Sequence, residues 1–209
     1  TGWHGIDLIW FHILGATNII TVDHWSHIHY RTVAQQIIEI QNVFDLTKIH
    51  SLVGEKESAT VSERLDTLAN MATEVRNIHD IWNIMNVTYF VRRSCDLENL
   101  PITKKSIDLF YSESVLQRIP EKTLSHILKT VGFKLLKNEG VIFARTDQKD
   151  INTQDHMNSN LWGLAFLKYN DFTWNLMTSE KLNYQNRLRE SDFAMLFTRS
   201  NIQLLEIIS

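Results

Sequence analysis

A single cysteine in 209 residues, Cys95, excludes an internal disulfide and a cysteine-based metal site. It fits a reducing compartment, so the cytoplasm is the expected location. Proline (2) and glycine (7) are also scarce, well below the roughly 12% of average usage, which excludes collagen-like and linker-rich chains and disfavours an all-β fold built on tight turns. Positive charge is not in excess: 21 Lys and Arg stand against 24 Asp and Glu, a net charge of −3 with His neutral. The phosphate-neutralising surface of a general nucleic-acid binder is therefore not expected. Long apolar runs are missing too. The longest uncharged apolar-rich window, Leu8 to Val22, spans 15 residues and contains His12, Gly15 and Asn18, too short and too polar to cross a membrane.

What is present is a chain 44% apolar, enough for one large packed core, so the length favours a single domain carrying an insertion. Ile6 to Leu14 is a helix-compatible apolar run after the only glycine-dense patch, Thr1-Gly2-Trp3-His4-Gly5. Asn18 to Val22 is β-branched and ends at Asp23, which predicts a buried strand with an acid at its carboxyl end. Val33, Ile37, Ile40 and Phe44 predict a helix from His29 to about Leu46. After a polar break at Gly54 to Thr60, a stripe from Val61 through Leu65, Leu68, Ala72, Val75 and Ile78 predicts another, reaching Met85. Further strands are expected at Val87 to Val91, Ile107 to Tyr111, Val141 to Ala144 and Gln203 to Ile208. Between them, Pro120 starts a helix that Asn138-Glu139-Gly140 ends. Asp147 to Asn160 reads as a polar loop, and aromatic-rich helices follow it.

Strands alternating with helices imply βαβ units, hence an α/β fold with a mainly parallel sheet and helices on both faces. Ligands bind such sheets beyond the carboxyl ends of the strands. There the glycines of the first five residues open a helix whose amide dipoles can face a ligand. Asp23 lies 21 residues after Gly2, where a carboxylate can accept both hydroxyls of a ribose, or can simply cap the following helix. His24, His27 and His29 are close together, yet residues two apart on a helix diverge and no cysteine accompanies them, so no metal is expected. Trp162, Phe166, Phe172 and Trp174 form an aromatic group suited to a core or to lining a pocket.

The order of these features, with Asp96-Leu97 following one strand and Ser106-Ile107-Asp108-Leu109-Phe110-Tyr111-Ser112-Glu113-Ser114-Val115-Leu116 forming the next, resembles the class I S-adenosylmethionine-dependent methyltransferases, and Leu167 to Asn175 with Tyr184 to Asp192 looks like a subgroup of bacterial small-molecule methyltransferases. The resemblance implies a Rossmann-like sheet in one domain over residues 1–209, with a helical insertion at about 29–86. It also implies S-adenosyl-L-methionine as cofactor and a small-molecule acceptor methylated at oxygen or nitrogen. Carried over residue by residue, Thr1, Gly2 and Trp3 approach the amino-acid part of the cofactor and Asp23 its ribose. Asp96 and Leu97 then contact the adenine, and Ser112 and Glu113 lie beneath the methionine portion. The family's first strand is expected before Thr1, and its last antiparallel strand after Ile208, so the chain is expected to be truncated at both ends. After the fourth strand, His156 next to Asp155 suits a general base for a hydroxyl acceptor. Tyr184, Arg187 and Arg189 suit acceptor binding, the arginines through a carboxylate or phosphate, or else surface ion pairing. A nicotinamide-dependent oxidoreductase and a non-catalytic binding module fit the same glycine loop and acid. No nucleic acid or membrane is implied, and the oligomeric state is not readable from the sequence.

Overall fold

The computed structural model describes residues 5–26, 28–92, 97–148, 165–177 and 184–208. The chain divides into two compact units, residues 1–95 and 96–209. Both mix helices with parallel strands, so the chain is α/β.

The first unit holds α1 (Ile6–Ile13), β1 (Ile19–Asp23), α2 (Tyr30–Val43), α3 (Leu46–Val53), α4 (Glu55–Ala72), α5 (Ile78–Met85) and β2 (Val87–Val91). Each amphipathic helix of the core turns its apolar stripe inward: Leu8, Ile9 and Ile13 of α1 meet Val33 and Ile37 of α2, Val61, Leu65 and Leu68 of α4, and Ile81 and Met85 of α5 in one cluster. β1 and β2 run parallel in register from Ile19 beside Val87 to Asp23 beside Val91. The expected region of helices between residues 29 and 86 is present, with different boundaries. Helix α4 begins at Glu55, inside the stretch expected to be a break, because Glu55 and Glu57 suit a first turn. The helix expected to run on to Met85 stops at Ala72, although Val75 and Ile78 beyond it still pack on the core. Asn77 and Asp80 form a capping box that starts α5 afresh, with the Asp80 amide donating to Asn77 Oδ1 at 3.1 Å.

The second unit holds β3 (Ile107–Glu113), a 3-10 turn (Leu116–Arg118), α6 (Glu121–Lys129), a π-helical segment (Thr130–Leu135), β4 (Leu136–Arg145), a second 3-10 turn (Ala165–Lys168), α7 (Asp171–Met177) and α8 (Glu190–Arg199). Leu124, Leu128 and Val131 are fully buried, as are Leu116 and Phe166. β3 and β4 pair in parallel, but the register slips between Ile107 and Leu109: Ile107 faces Leu136 while Leu109 faces Val141. The extra residues of β4 bulge out, and Gly140 lies where a Cβ would stand 2.8 Å from the Ile107 carbonyl oxygen.

Two expectations are corrected here. Asn138-Glu139-Gly140 does not end a helix, since the chain passes from the π segment directly into β4 at Leu136. Gln203 to Ile208 forms no strand among the described residues: it makes no ladder, and Leu205 and Ile208 are 80% and 85% exposed.

Candidate functional site

In the first unit the expected ligand contacts fall around α1 and β1. Gly5 is the residue before α1, and its carbonyl accepts the Ile9 amide at 3.1 Å. A Cβ at Gly5 would meet Val33 Cγ2 at 3.1 Å, so this glycine lets α1 approach α2 closely. Thr1, Gly2 and Trp3 lie outside the described residues.

Asp23 is the last residue of β1. Tyr89, opposite Thr21 on the neighbouring strand, donates its hydroxyl to Asp23 Oδ2 at 3.1 Å and lies 3.2 Å from the Trp25 carbonyl oxygen. With one proton to share between two acceptors, Tyr89 both orients the carboxylate and ties down the turn after it. Its ring sits 5.9 Å from that of Trp82. Motif order alone does not single out Tyr89; its place two registers before the strand end, on the face that Asp23 shares, is a signal that strand periodicity supplies. His29 caps α2, its Nδ1 accepting the Arg31 amide at 3.3 Å, and His24 packs edge-on against Trp25. His27 lies outside the described residues. Among the described residues no three His, Cys, Asp or Glu side chains are grouped to hold a metal ion, and no helix is long and apolar enough to cross a membrane.

In the second unit Leu97 is half-buried in a turn, its carbonyl accepting the Leu100 amide at 3.4 Å. The turn is anchored by Glu98, which pairs with Lys134 of the π segment and lies 3.3 Å from His126 Nε2 of α6. Asp96 lies outside the described residues. Ser112 and Glu113 are consecutive strand residues, so they point to opposite faces of β3. Ser112 is buried, whereas Glu113 stands on the face where Leu109, Val141 and Phe143 are exposed. There Arg145 Nη1 donates to Glu113 Oε1 at 2.8 Å and the Tyr111 hydroxyl to Oε2 at 2.6 Å, above a Tyr111–Phe143 stack with centroids 5.5 Å apart. The chain leaves β3 through Ser114, whose φ of 53° is left-handed, with its amide bonded to the Arg145 carbonyl at 2.8 Å.

The residues expected to bind the acceptor all lie on one segment, 184–189, which is attached at this end. Asn186, buried, donates from Nδ2 to the carbonyls of Leu116 (2.9 Å) and Ile119 (2.8 Å), and its amide bonds to Gln117 O at 2.8 Å. It pins the segment 184–189 onto the 3-10 turn that follows β3. Trp174 Nε1 holds the same segment through Gln185 O at 2.9 Å. Burial, reinforced by the charge of Glu121, pushes the Tyr184 phenol above its usual range and keeps it a neutral hydroxyl.

The two arginines separate. Arg187 pairs with Asp171 and donates to the carbonyls of Tyr169 and, at 3.4 Å, Phe166, so it staples the second 3-10 turn to α7. Arg189 Nη1 donates to Gln148 O at 3.3 Å, just past the end of β4, and its guanidinium lies 4.9 Å from the centre of the buried Phe166 ring. Its Nη2 is buried with no hydrogen-bond partner among the described residues, as is Oε1 of Gln117. The sequence gives Arg187 and Arg189 the same standing and draws no attention to Asn186 or Gln117. Asp155 and His156 lie outside the described residues, as does Trp162. No family model, no curated protein and no solved structure matches this chain.

Proposed function

We propose that the protein is an S-adenosylmethionine-dependent methyltransferase that acts on an oxygen or nitrogen of a small-molecule acceptor, with a Rossmann-like sheet as its framework. The observation that carries the reading is Asp23: a carboxylate at the carboxyl end of a strand in a parallel pair, following a helix opened by glycine and oriented by Tyr89. Its chemistry fits the group. A carboxylate has about four lone-pair sites, and two of them suit the vicinal hydroxyls of a ribose.

Bound S-adenosylmethionine supplies a methyl group already activated by its sulfonium, so the protein's work is alignment and exclusion of water. In this reading Asp23 holds the ribose, and Gly2 with its neighbours Thr1 and Trp3 lets the backbone approach the amino-acid portion. In the second unit Ser112 lies on the packed face of β3, and Glu113 is already engaged by Arg145 and Tyr111. His156 takes the proton when the acceptor is a hydroxyl. Tyr184, neutral across the physiological range, offers a hydroxyl to the acceptor, together with Arg187 or Arg189.

Calorimetric titration of the full chain with S-adenosylhomocysteine tests the reading. Saturable binding is expected, weakened about tenfold or more in Asp23→Ala, which removes a set of charged hydrogen bonds. Binding of a nicotinamide dinucleotide in place of S-adenosylhomocysteine would replace the methyltransferase with an oxidoreductase.

A further inference from the structure

The carboxyl end of the β3–β4 pair is the ligand-binding end of a parallel sheet, and two attachments bring the segment 184–189 there. Asn186 bonds to the 3-10 turn that follows β3, and Arg189 bonds to Gln148 O, three residues beyond the end of β4. Four arginines serve this region, and two of them, Arg145 with Glu113 and Arg187 with Asp171, hold carboxylate ion pairs. Arg187 has a carboxylate and two carbonyls. Arg118 is partly buried, which disfavours its charge, and the charge of Asp147 offsets part of that.

Arg189 differs. One guanidinium nitrogen bonds to Gln148, one face lies over the Phe166 ring, and Nη2 is buried without a partner among the described residues. Among those residues no carboxylate forms an ion pair with it. Asp192 does approach, but its Oδ2 accepts the Arg189 backbone amide at 2.9 Å, which caps α8 and leaves the side chain unanswered. Folded proteins keep very few buried donors unsatisfied, and a charged one is the costliest to keep, so a retained one points to a ligand atom that completes it. On the attached 3-10 turn, Gln117 is 5% exposed and its amide oxygen is likewise without a partner among the described residues.

We propose that Arg189 is the anion contact for the acceptor and that the acceptor is a small organic monocarboxylate. The inference rests on the methyltransferase reading for the word acceptor, but the binding site itself does not. A carboxylate is preferred to a phosphate because the uncompensated charge is a single +1: a phosphate monoester brings about −1.5 to −2 and would leave buried negative charge in excess. The Phe166 ring beneath the guanidinium, 4.9 Å from its carbon, favours the charged group by a cation–π contact without using any of its donors.

The test compares benzoate and hexanoate with their neutral amides, and benzoate with phenyl phosphate, by calorimetry on the full chain with and without S-adenosylhomocysteine. At least one carboxylate is expected to bind at least about tenfold more tightly than its amide, the loss of one charge-assisted hydrogen bond. Arg189→Gln should remove that preference and Arg189→Lys should keep part of it. If Arg189→Gln does not fold, the carboxylate-to-amide ratio in the wild-type chain and the Lys variant decide the matter. Equal affinity for acid and amide, no carboxylate binding, or tighter binding of phenyl phosphate would overturn the proposal. Loss of the cofactor reading is seen separately, as no response to S-adenosylhomocysteine while the acid-to-amide preference stands.

Discussion

Among the described glycines of the second unit Gly132 leaves the least room for a side chain, and replacing it with alanine measures how α8 is held. The residue lies buried in the π-helical segment, and a Cβ there would stand 2.0 Å from the Ser200 carbonyl oxygen and 3.1 Å from Ile202 Cγ1. The first contact is with backbone at the end of α8, so no side chain can swing aside. Relief requires the end of α8 to retreat by about 1 Å, and a gap of that size forfeits a quarter to a half of each contact across it. Phe193, Leu196 and Phe197 are buried along α8 and each contributes about 1.5–3 kcal/mol by burial, so their partial loss alone costs about 2 kcal/mol. Overpacking strain adds about 1–3 kcal/mol, and the gain of alanine over glycine in a helical segment returns less than about 1 kcal/mol. The net expectation is a loss of about 3 kcal/mol in urea unfolding followed by circular dichroism, or about 10 °C in Tm for a chain of this size. Phe133→Ala, next to it but 53% exposed, should cost about 1 kcal/mol or less. If Gly132→Ala falls within about 1 kcal/mol of wild type, the close approach of α8 to the π segment is wrong.

Asn186→Ala removes the donor for two buried carbonyls, and because Leu116 O also accepts the Ile119 amide at 3.3 Å, only Ile119 O loses its described partner outright; about 2 kcal/mol of destabilisation is expected in urea unfolding, and no change would refute the pinning role. His12 of α1 is held below its usual pKa of 6.5 chiefly by burial, with the Arg64 charge adding to the shift and a backbone bond at Met85 opposing it. The unfolded chain therefore binds the proton more tightly: this stability is present above pH ~6.5 and is lost as pH falls through the lowered folded value. Thermal melts from pH 7.5 to 5 should show a falling Tm, with a shallower fall in His12→Gln; equal slopes would show that other groups carry the pH dependence.

The parts of the fold that can be read from the sequence are those where local composition and tertiary partner agree. β1 and β2 are short β-branched runs closed by polar residues, and each has a parallel partner, so their ends fall within a residue of expectation. Where the partner decides, composition misleads. Lys137-Asn138-Glu139-Gly140 has the polarity and the glycine of a helix end, but Gly140 is there because β4 bulges against Ile107 and no Cβ fits. Gln203 to Ile208 has a strand's composition and lacks a ladder. The break before α5 is present in the sequence, since Asn77 and Asp80 have capping-box spacing, but an apolar stripe that keeps its phase through Val75 and Ile78 conceals it.

The candidate site divides along the same line. An acid at a strand end is a local feature, so Asp23 is legible; the hydroxyl that orients it comes from Tyr89, 66 residues away, and becomes visible only through the parallel register. Strand alternation has a period of two and covers Ser112 and Glu113, yet carrying both over to the methionine portion hides that they face opposite ways. Arg187 and Arg189 differ least in sequence and most in structure. Both are positive, flexible and two residues apart, and nothing local states which one has its charge spent. That distinction is set by Asp171 and two carbonyls on one side, and by a buried aromatic face and a single carbonyl on the other. The chemistry of a binding arginine is therefore a property of what surrounds it that is not bonded to it, and the carboxylate-to-amide ratio reads that property directly.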